Sequence, residues 1–201
     1  MNENYFSEPG TDSFKKAICS IIQMSSSDFE LLLPLLQKKS VKKQDYILRE
    51  GEVCKNLFFL INGFVRMYYI DFDGNEINYR FTDKSNFFVD FQSFLTQKPS
   101  RYYWQAMQDS ELFILPYKEV QHFYHTSPAW NNFGRLMAEH VYLQLNERVD
   151  MLLFMKPEER YLYLRNNQPH LFEQVSQFHL SSYLGVKPES LSRLRKRLSE
   201  K

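Results

Sequence analysis

Cysteine is nearly missing from this chain of 201 residues: Cys19 and Cys54 are its two thiols, and they form no Cys-x-x-Cys pair. That excludes a disulfide scaffold and a four-cysteine iron–sulfur site, and it points to a reducing compartment. Long apolar runs are missing too, with no stretch near the roughly 18 residues a membrane span requires. The N-terminal segment has no basic start followed by an apolar run, so no signal peptide is expected and the location reads as cytoplasmic. Histidine is absent from residues 41–115, which removes a cupin-type metal centre from consideration. His122 and His125 lie three apart without a third ligand nearby, so no metal is expected. No HExxH, GxSxG or GxxxxGK[ST] motif occurs, and no catalytic residue or enzymatic activity is expected. Internal repeats are absent, and the net charge is only +1.

Aromatic residues are plentiful: 18 Phe and 13 Tyr help bring the aromatic share to 16%, which suits strands and packing. Residues Met1–Thr11 are polar and read as loose. Phe14, Ile18, Ile21 and Ile22 have helical spacing over 13–23. Ser27-Asp28-Phe29-Glu30 has the form of a capping box opening a second helix to Leu36. From Lys38 to about Leu115 the rhythm is that of short strands. Val41–Leu48 reads as one strand, and Leu57–Ile61 as the next, ended by an Asn62-Gly63 hairpin signal. Val65–Ile70 and Glu76–Thr82 flank a turn at 71–75, and Tyr102–Met107 and Glu111–Leu115 close the set. This spacing predicts an antiparallel sandwich or jelly roll.

After Pro116 the pattern becomes helical. Tyr117–His125 is a short helix, and Ser127-Pro128 opens a long one to about Met155. Its stripe of Phe133, Met137, Val141, Leu145, Val149 and Leu152, with Leu136, Leu143 and Leu153 beside it, suggests a partner helix from a second copy. Pro157-Glu158-Glu159 starts a further helix, broken at 166–169. Ser176 can cap a helix carrying Leu180 and Leu184. Gly185 then sits at a left-handed C-terminal position, and Pro188 at a first helical position. The small Ser181 allows close approach of the two helices, and the whole has the pattern of a helix-turn-helix. Leu191, Leu194 and Leu198 mark the inner face of its second helix, with Glu189, Ser192, Arg193 and Lys196 opposite and Arg195 and Arg197 flanking. Lys187–Lys201 holds six basic and two acidic residues, the footprint of a polyanion-binding surface.

Roughly residues 41–197 resemble the Crp/Fnr family of bacterial transcription regulators. Tyr46-Ile47-Leu48-Arg49-Glu50-Gly51-Glu52 and Leu57-Phe58-Phe59-Leu60-Ile61-Asn62-Gly63 look like the paired glycine turns of a cyclic-nucleotide-binding roll. Asp73-Gly74-Asn75-Glu76 looks like its next hairpin. Leu184-Gly185-Val186 through Leu191-Ser192-Arg193 is similar to the family's DNA-reading unit. The resemblance implies base contacts by Glu189 and Arg193, a carboxylate suited to cytosine N4 and a guanidinium suited to guanine. Ser190 and Ser192 would reach phosphates or bases, and Lys187, Arg195, Lys196 and Arg197 would hold phosphates. The family's arginine before the glutamate is Pro188 here. Full-length members add a β-hairpin wing after this helix; the sequence stops at Lys201, so a short form without it is expected, with fewer backbone contacts.

Cyclic-nucleotide binders of the family use Gly-Glu for the ribose and Arg-Ser for the phosphate. Here Val89-Asp90 and Ser100-Arg101 stand at those places, the second pair reversed, which on a strand would turn the arginine to the other face. Asp90, Gln92, Ser100, Arg101 and Asn146 are the candidate effector-binding residues. The ligand expected is a small-molecule effector other than cyclic AMP or another cyclic nucleotide, or none at all.

The fold expected is α+β: residues 1–126 a cyclic-nucleotide-binding-like β-roll with flanking helices, 127–156 a dimerisation helix, and 157–201 a truncated helix-turn-helix. The expected function is that of a homodimeric transcription regulator on double-stranded DNA, with RNA polymerase as a further partner and no membrane. The competing reading is an effector-binding or scaffold protein of the same fold that has lost DNA binding.

Overall fold

A computed structural model describes residues 10–199; of the loose segment expected over Met1–Thr11, residues 1–9 lie outside them, and Thr11 is instead buried as the first residue of a helix. Helices α1 (Thr11–Cys19) and α2 (Ser26–Leu32) lead in, followed by a 3-10 turn at Leu33–Leu35. Ser25, not Ser27, caps α2, its hydroxyl accepting from the Asp28 backbone N–H at 3.1 Å. Eight strands follow: β1 (Gln37–Val41), β2 (Tyr46–Leu48), β3 (Asn56–Asn62), β4 (Phe64–Ile70), β5 (Glu76–Asp83), β6 (Asn86–Phe88), β7 (Tyr103–Ala106) and β8 (Ser110–Pro116). A short helix, α3 (Phe91–Thr96), interrupts them before β7. The rest is helical: α4 (Tyr117–Thr126), α5 (Pro128–Phe154), α6 (Pro157–Asn167), α7 (Leu171–Gln174), α8 (Gln177–Leu184) and α9 (Pro188–Ser199).

The strands form two four-stranded sheets, ordered β1-β8-β3-β6 and β2-β7-β4-β5, the α+β roll the sequence predicts. Two expectations on connectivity are corrected. The single strand expected over Val41–Leu48 is two strands, because the chain leaves one sheet for the other at 42–45. Gln44 there takes φ +73° and donates its N–H to the Ala106 carbonyl at 2.7 Å. Val41 pairs opposite Ser110, whereas Tyr46 pairs opposite Gln105. The hairpin expected at Asn62-Gly63 is instead a corner between sheets, since β3 and β4 do not pair. Gly63 has φ +105°, and a Cβ there would lie 2.8 Å from Cα of Ser110, so the approach of β8 admits no side chain. The turn at 71–75 does join paired strands, β4 and β5.

By its contacts the chain divides into two compact units, 1–67 with 81–141 and 68–80 with 142–201. In the first, Phe14 of α1 meets Phe59 and Phe113 edge-on at 5.1 and 5.7 Å, sealing one sheet. Phe88 packs on Trp104 at 4.7 Å, and Trp130 and Phe133 of α5 are almost fully buried. Aromatic rings therefore supply much of this core. In the second unit Tyr161, Leu164, Leu171, Val175, Leu180, Leu184, Leu191 and Leu194 are all buried, which makes a small leucine-rich core from four short helices. The strands β4 and β5 and the helix α5 each run from one unit into the other.

Candidate nucleic-acid interface and ligand sites

The terminal helix pair is built as its residues dictate. The Ser176 hydroxyl accepts from the His179 N–H at 3.3 Å and caps α8. Gly185 closes that helix at φ +65°, with the Val186 N–H reaching the Ser181 carbonyl at 3.0 Å. Ser181 is 1% exposed. Leu191 and Leu194 point inward, and Leu198 is half-buried. Lys187, Glu189, Ser192, Arg193, Arg195, Lys196 and Arg197 are exposed, and Ser190 is half-buried. One acidic side chain, Glu189, thus shares this surface with five cations. Arg197 is tied to Glu158 of α6 at 2.5 Å, and Arg193 reaches the Ser190 hydroxyl at 3.4 Å.

Strand β5 is bonded to α8 through Asn78. Asn78, fully buried, donates from Nδ2 to the Ser182 hydroxyl at 2.7 Å and to the His179 carbonyl at 3.2 Å; its backbone N–H also reaches Ser182. The turn between β4 and β5 is fixed by Asp71, whose Oδ1 accepts from the N–H groups of Asn75 and Asp73 at 2.8 and 2.9 Å. These bonds, led by that from Asn75, hold the Asp71 carboxyl below the usual carboxylate range.

Four of the five effector candidates belong to the first unit. Asp90 is buried and caps α3, accepting from the Ser93 N–H at 3.2 Å. Ser93 in turn accepts from the Cys54 N–H at 2.9 Å. Gln92 is exposed on α3. Ser100 is buried, and its backbone is clamped to Gly51 and Glu52 at 2.9 and 2.8 Å. Arg101 is exposed. The reversed Ser-Arg pair lies before β7 and not on a strand, so strand alternation is not what separates the two side chains; the turn into β7 does so. Asn146 is half-buried on α5 and belongs to the second unit. The structure joins Asp90 to the loop holding Cys54 rather than to Gln92 or Arg101.

The roll also buries polar groups that the sequence reading passed over. Arg66 on β4 is 5% exposed and donates from Nε and Nη2 to Oε1 of Gln105, at 3.0 and 2.6 Å. Gln105 donates in turn to the Gln44 carbonyl at 2.9 Å. Thr82 Oγ1 and Trp104 Nε1 are buried without hydrogen-bond partners. A lone arginine inside the apolar run Phe64–Ile70 was the available signal. Burial raises the Cys54 thiol to about 11, far from the range in which a thiol acts as a nucleophile or ligand at neutral pH. No helix among the described residues is long and apolar enough to cross a membrane.

Residues 38–127 match the family described as the cyclic nucleotide-binding domain. That stretch spans the two sheets of the β-roll, and the fold so defined is a roll of this kind followed by helices. Among solved structures the chain is similar to FixK2 from Bradyrhizobium japonicum, at 17% identity with a TM-score of 0.70, covering 82% of this chain and 85% of that one. It is similar to the c-di-GMP-responsive global regulator CLP of Xanthomonas campestris, at 18% identity and TM-score 0.70, covering 88% and 92%. It is also similar to the catabolite activator protein of Thermus thermophilus, at 20% identity and TM-score 0.55, covering 88% and 84%. At these identities the likeness is one of fold. No curated protein sequence matches the chain.

Proposed function

We propose that the protein is a homodimeric, DNA-binding transcription regulator whose β-roll senses a small molecule other than cyclic AMP. The observation that carries this reading is the exposed cationic face of α9, set on a leucine face that is buried in the same helix. Such a helix, packed on a capped and tightly turned partner, is a helix-turn-helix with α9 as its recognition helix. Glu189 and Arg193 read base edges, while Lys187, Arg195 and Lys196 hold phosphates, with Ser190 and Ser192 between them. Arg197 must leave Glu158 to join them.

Dimerisation is supported by the second half of α5, where Tyr142, Leu143, Leu153 and Phe154 are 63%, 65%, 71% and 80% exposed. A run of that apolar area asks for a partner helix. Two copies paired there would set two α9 helices at the spacing of successive major grooves, about 34 Å. The cyclic-AMP exclusion rests on Asp90, spent as a helix cap, and on the outward Arg101. Thr82 and Trp104 supply the free buried donors inside the roll for another effector.

A gel shift on palindromic duplexes tests the reading. Arg193→Ala should cost about 1–3 kcal/mol and relax preference at one base, whereas Lys196→Ala should weaken every duplex and lower the salt slope by about 1. A protein whose affinity for every duplex is unmoved by both changes is no regulator of this kind.

A further inference from the structure

In the second unit three half-buried arginines have no carboxylate partner among the described residues. Three arginines from three elements lie near α8: Arg80 on β5 and Arg148 on α5 act on Tyr183, and Arg160 on α6 acts on Arg148. Arg148 lies over the Tyr183 ring at 4.1 Å and donates from Nη2 to the Tyr183 carbonyl. Its Nε and Nη1 are buried and make no hydrogen bond, and the same holds for Nε of Arg160. Arg160 reaches the turn between the helices, its Nη1 standing 3.5 Å from where a Cβ on Gly185 would be. Arg80 donates to Oε1 of Gln144.

The charges acting on these groups are of the wrong kind to balance them. Burial is the first cause that lowers the pKa of both Arg80 and Arg148; the further influences are tyrosines and, for Arg148, the like charge of Arg160. Tyr183 offers no counter-charge, since burial raises its phenol and keeps it neutral at pH 7. The nearby acid is Glu147, which also acts on Tyr183, and it accepts a hydrogen bond from the Tyr163 hydroxyl. A guanidinium cannot shed its proton in response to burial. Buried charges are ordinarily paired, and buried donors ordinarily bonded. Here three donor nitrogens, Nε and Nη1 of Arg148 and Nε of Arg160, are buried without a bond, and none of the three half-buried guanidinium groups is paired with a carboxylate among the described residues.

We propose that Arg80, Arg148 and Arg160 form a binding site for a phosphoryl group of a small molecule, held between the β4–β5 hairpin and α8. Guanidinium forks match phosphate oxygens in geometry, and three of them suit a tetrahedral dianion better than a planar monoanion such as a carboxylate. The donors are enclosed when the site is empty, so entry displaces Tyr183, and occupancy is felt along α8. The site stands apart from the reading of α9 as a DNA-binding helix, and its binding test needs no DNA, which enters only as a comparison.

The test titrates the full chain with inorganic pyrophosphate at constant ionic strength, following thermal midpoint and amide exchange of α8, with sodium acetate as control. A saturable rise in midpoint with altered exchange in α8 is expected, together with at least a tenfold weaker half-saturation in Arg160→Gln. The Arg160 side chain makes no hydrogen bond among the described residues, so that variant should fold, and without pyrophosphate it should melt no lower than the wild type. Arg148→Gln, which also loses the bond to Tyr183, should be stable enough to test if Arg160→Gln is. No saturable rise, an equal response to acetate, or equal half-saturation in Arg160→Gln would each overturn the site. So would an Arg160→Gln defect confined to non-specific duplex affinity, which would assign these cations to the DNA backbone instead of a free phosphate.

Discussion

Gly63 and Cys54 show how much one residue's surroundings decide. At Gly63 both the left-handed backbone and the Cα of Ser110 oppose a methyl group, so Gly63→Ala should lose about 1–3 kcal/mol of unfolding free energy in a denaturant titration. At Gly74 the backbone is also left-handed, but nothing lies within 4 Å of a built Cβ, and Gly74→Ala should lose less. Equal losses would remove the steric half of this explanation. The two thiols should separate cleanly. Cys19 is exposed, whereas Cys54 is buried with its thiol raised to about 11, so one thiol per native chain should react rapidly with a disulfide reagent at pH 8. Asp71 titrates in the other direction. Its folded pKa is lowered, so its contribution is present above the unfolded value of about 3.9 and fades as pH falls through the lower, folded one. A carboxyl resonance for Asp71 with a midpoint at or above 3.9 would contradict the bonded turn.

At the scale of elements, capped and punctuated stretches were legible and sheet partners were not. Ser176, Gly185 and Pro188 fix α8 and α9 because capping, left-handed closure and a proline start are local chemistry. The long α5 likewise followed from Ser127-Pro128 and a run of apolar residues at helical spacing. The break inside Val41–Leu48 was hidden, since Lys42 to Asp45 carry no glycine or proline and it is Gln44 that turns the backbone. Asn62-Gly63 misled for the opposite reason: the same dipeptide serves a hairpin or a corner, and only the distant Ser110 decides which. In the candidate sites the exposed cations of α9 could be read from periodicity, whereas Arg66, Arg80, Arg148 and Arg160 could not, because their burial depends on strands and helices far apart in sequence. The terminal helix pair should be sensitive to its turn. Gly185→Ala meets Leu152 at 3.3 Å as well as an unfavourable φ, and should lower stability by about 1 kcal/mol and disturb α9. Leu191→Ala should cost about 2–5 kcal/mol, since that side chain is fully buried.

For the molecule as a whole, the apolar second half of α5 is the feature with the largest expected consequence. Replacing Leu143 and Leu153 together by Glu should shift sedimentation at micromolar concentration from dimer to monomer and abolish binding to a two-half-site duplex, while a single half-site keeps weak affinity. An unchanged mass would remove this face as the contact of the proposed dimer. The fold as a roll followed by helices could be anticipated from the order of strand-like and helix-like stretches. The bond joining β5 to α8 could not, because Asn78 and Ser182 are 104 residues apart and neither carries a local signal.

That long-range bond bears on how the protein can be cut. A fragment made by severing the chain between β5 and α5 would carry α8 away from Asn78 and Arg80, leaving Ser182 and Gln144 without their present partners. The isolated terminal piece should therefore be looser than the same helices in the full chain, and its behaviour a poor guide to the parent. Supplying a peptide spanning the β4–β5 turn in trans should tighten it again, visible as slower amide exchange in α8.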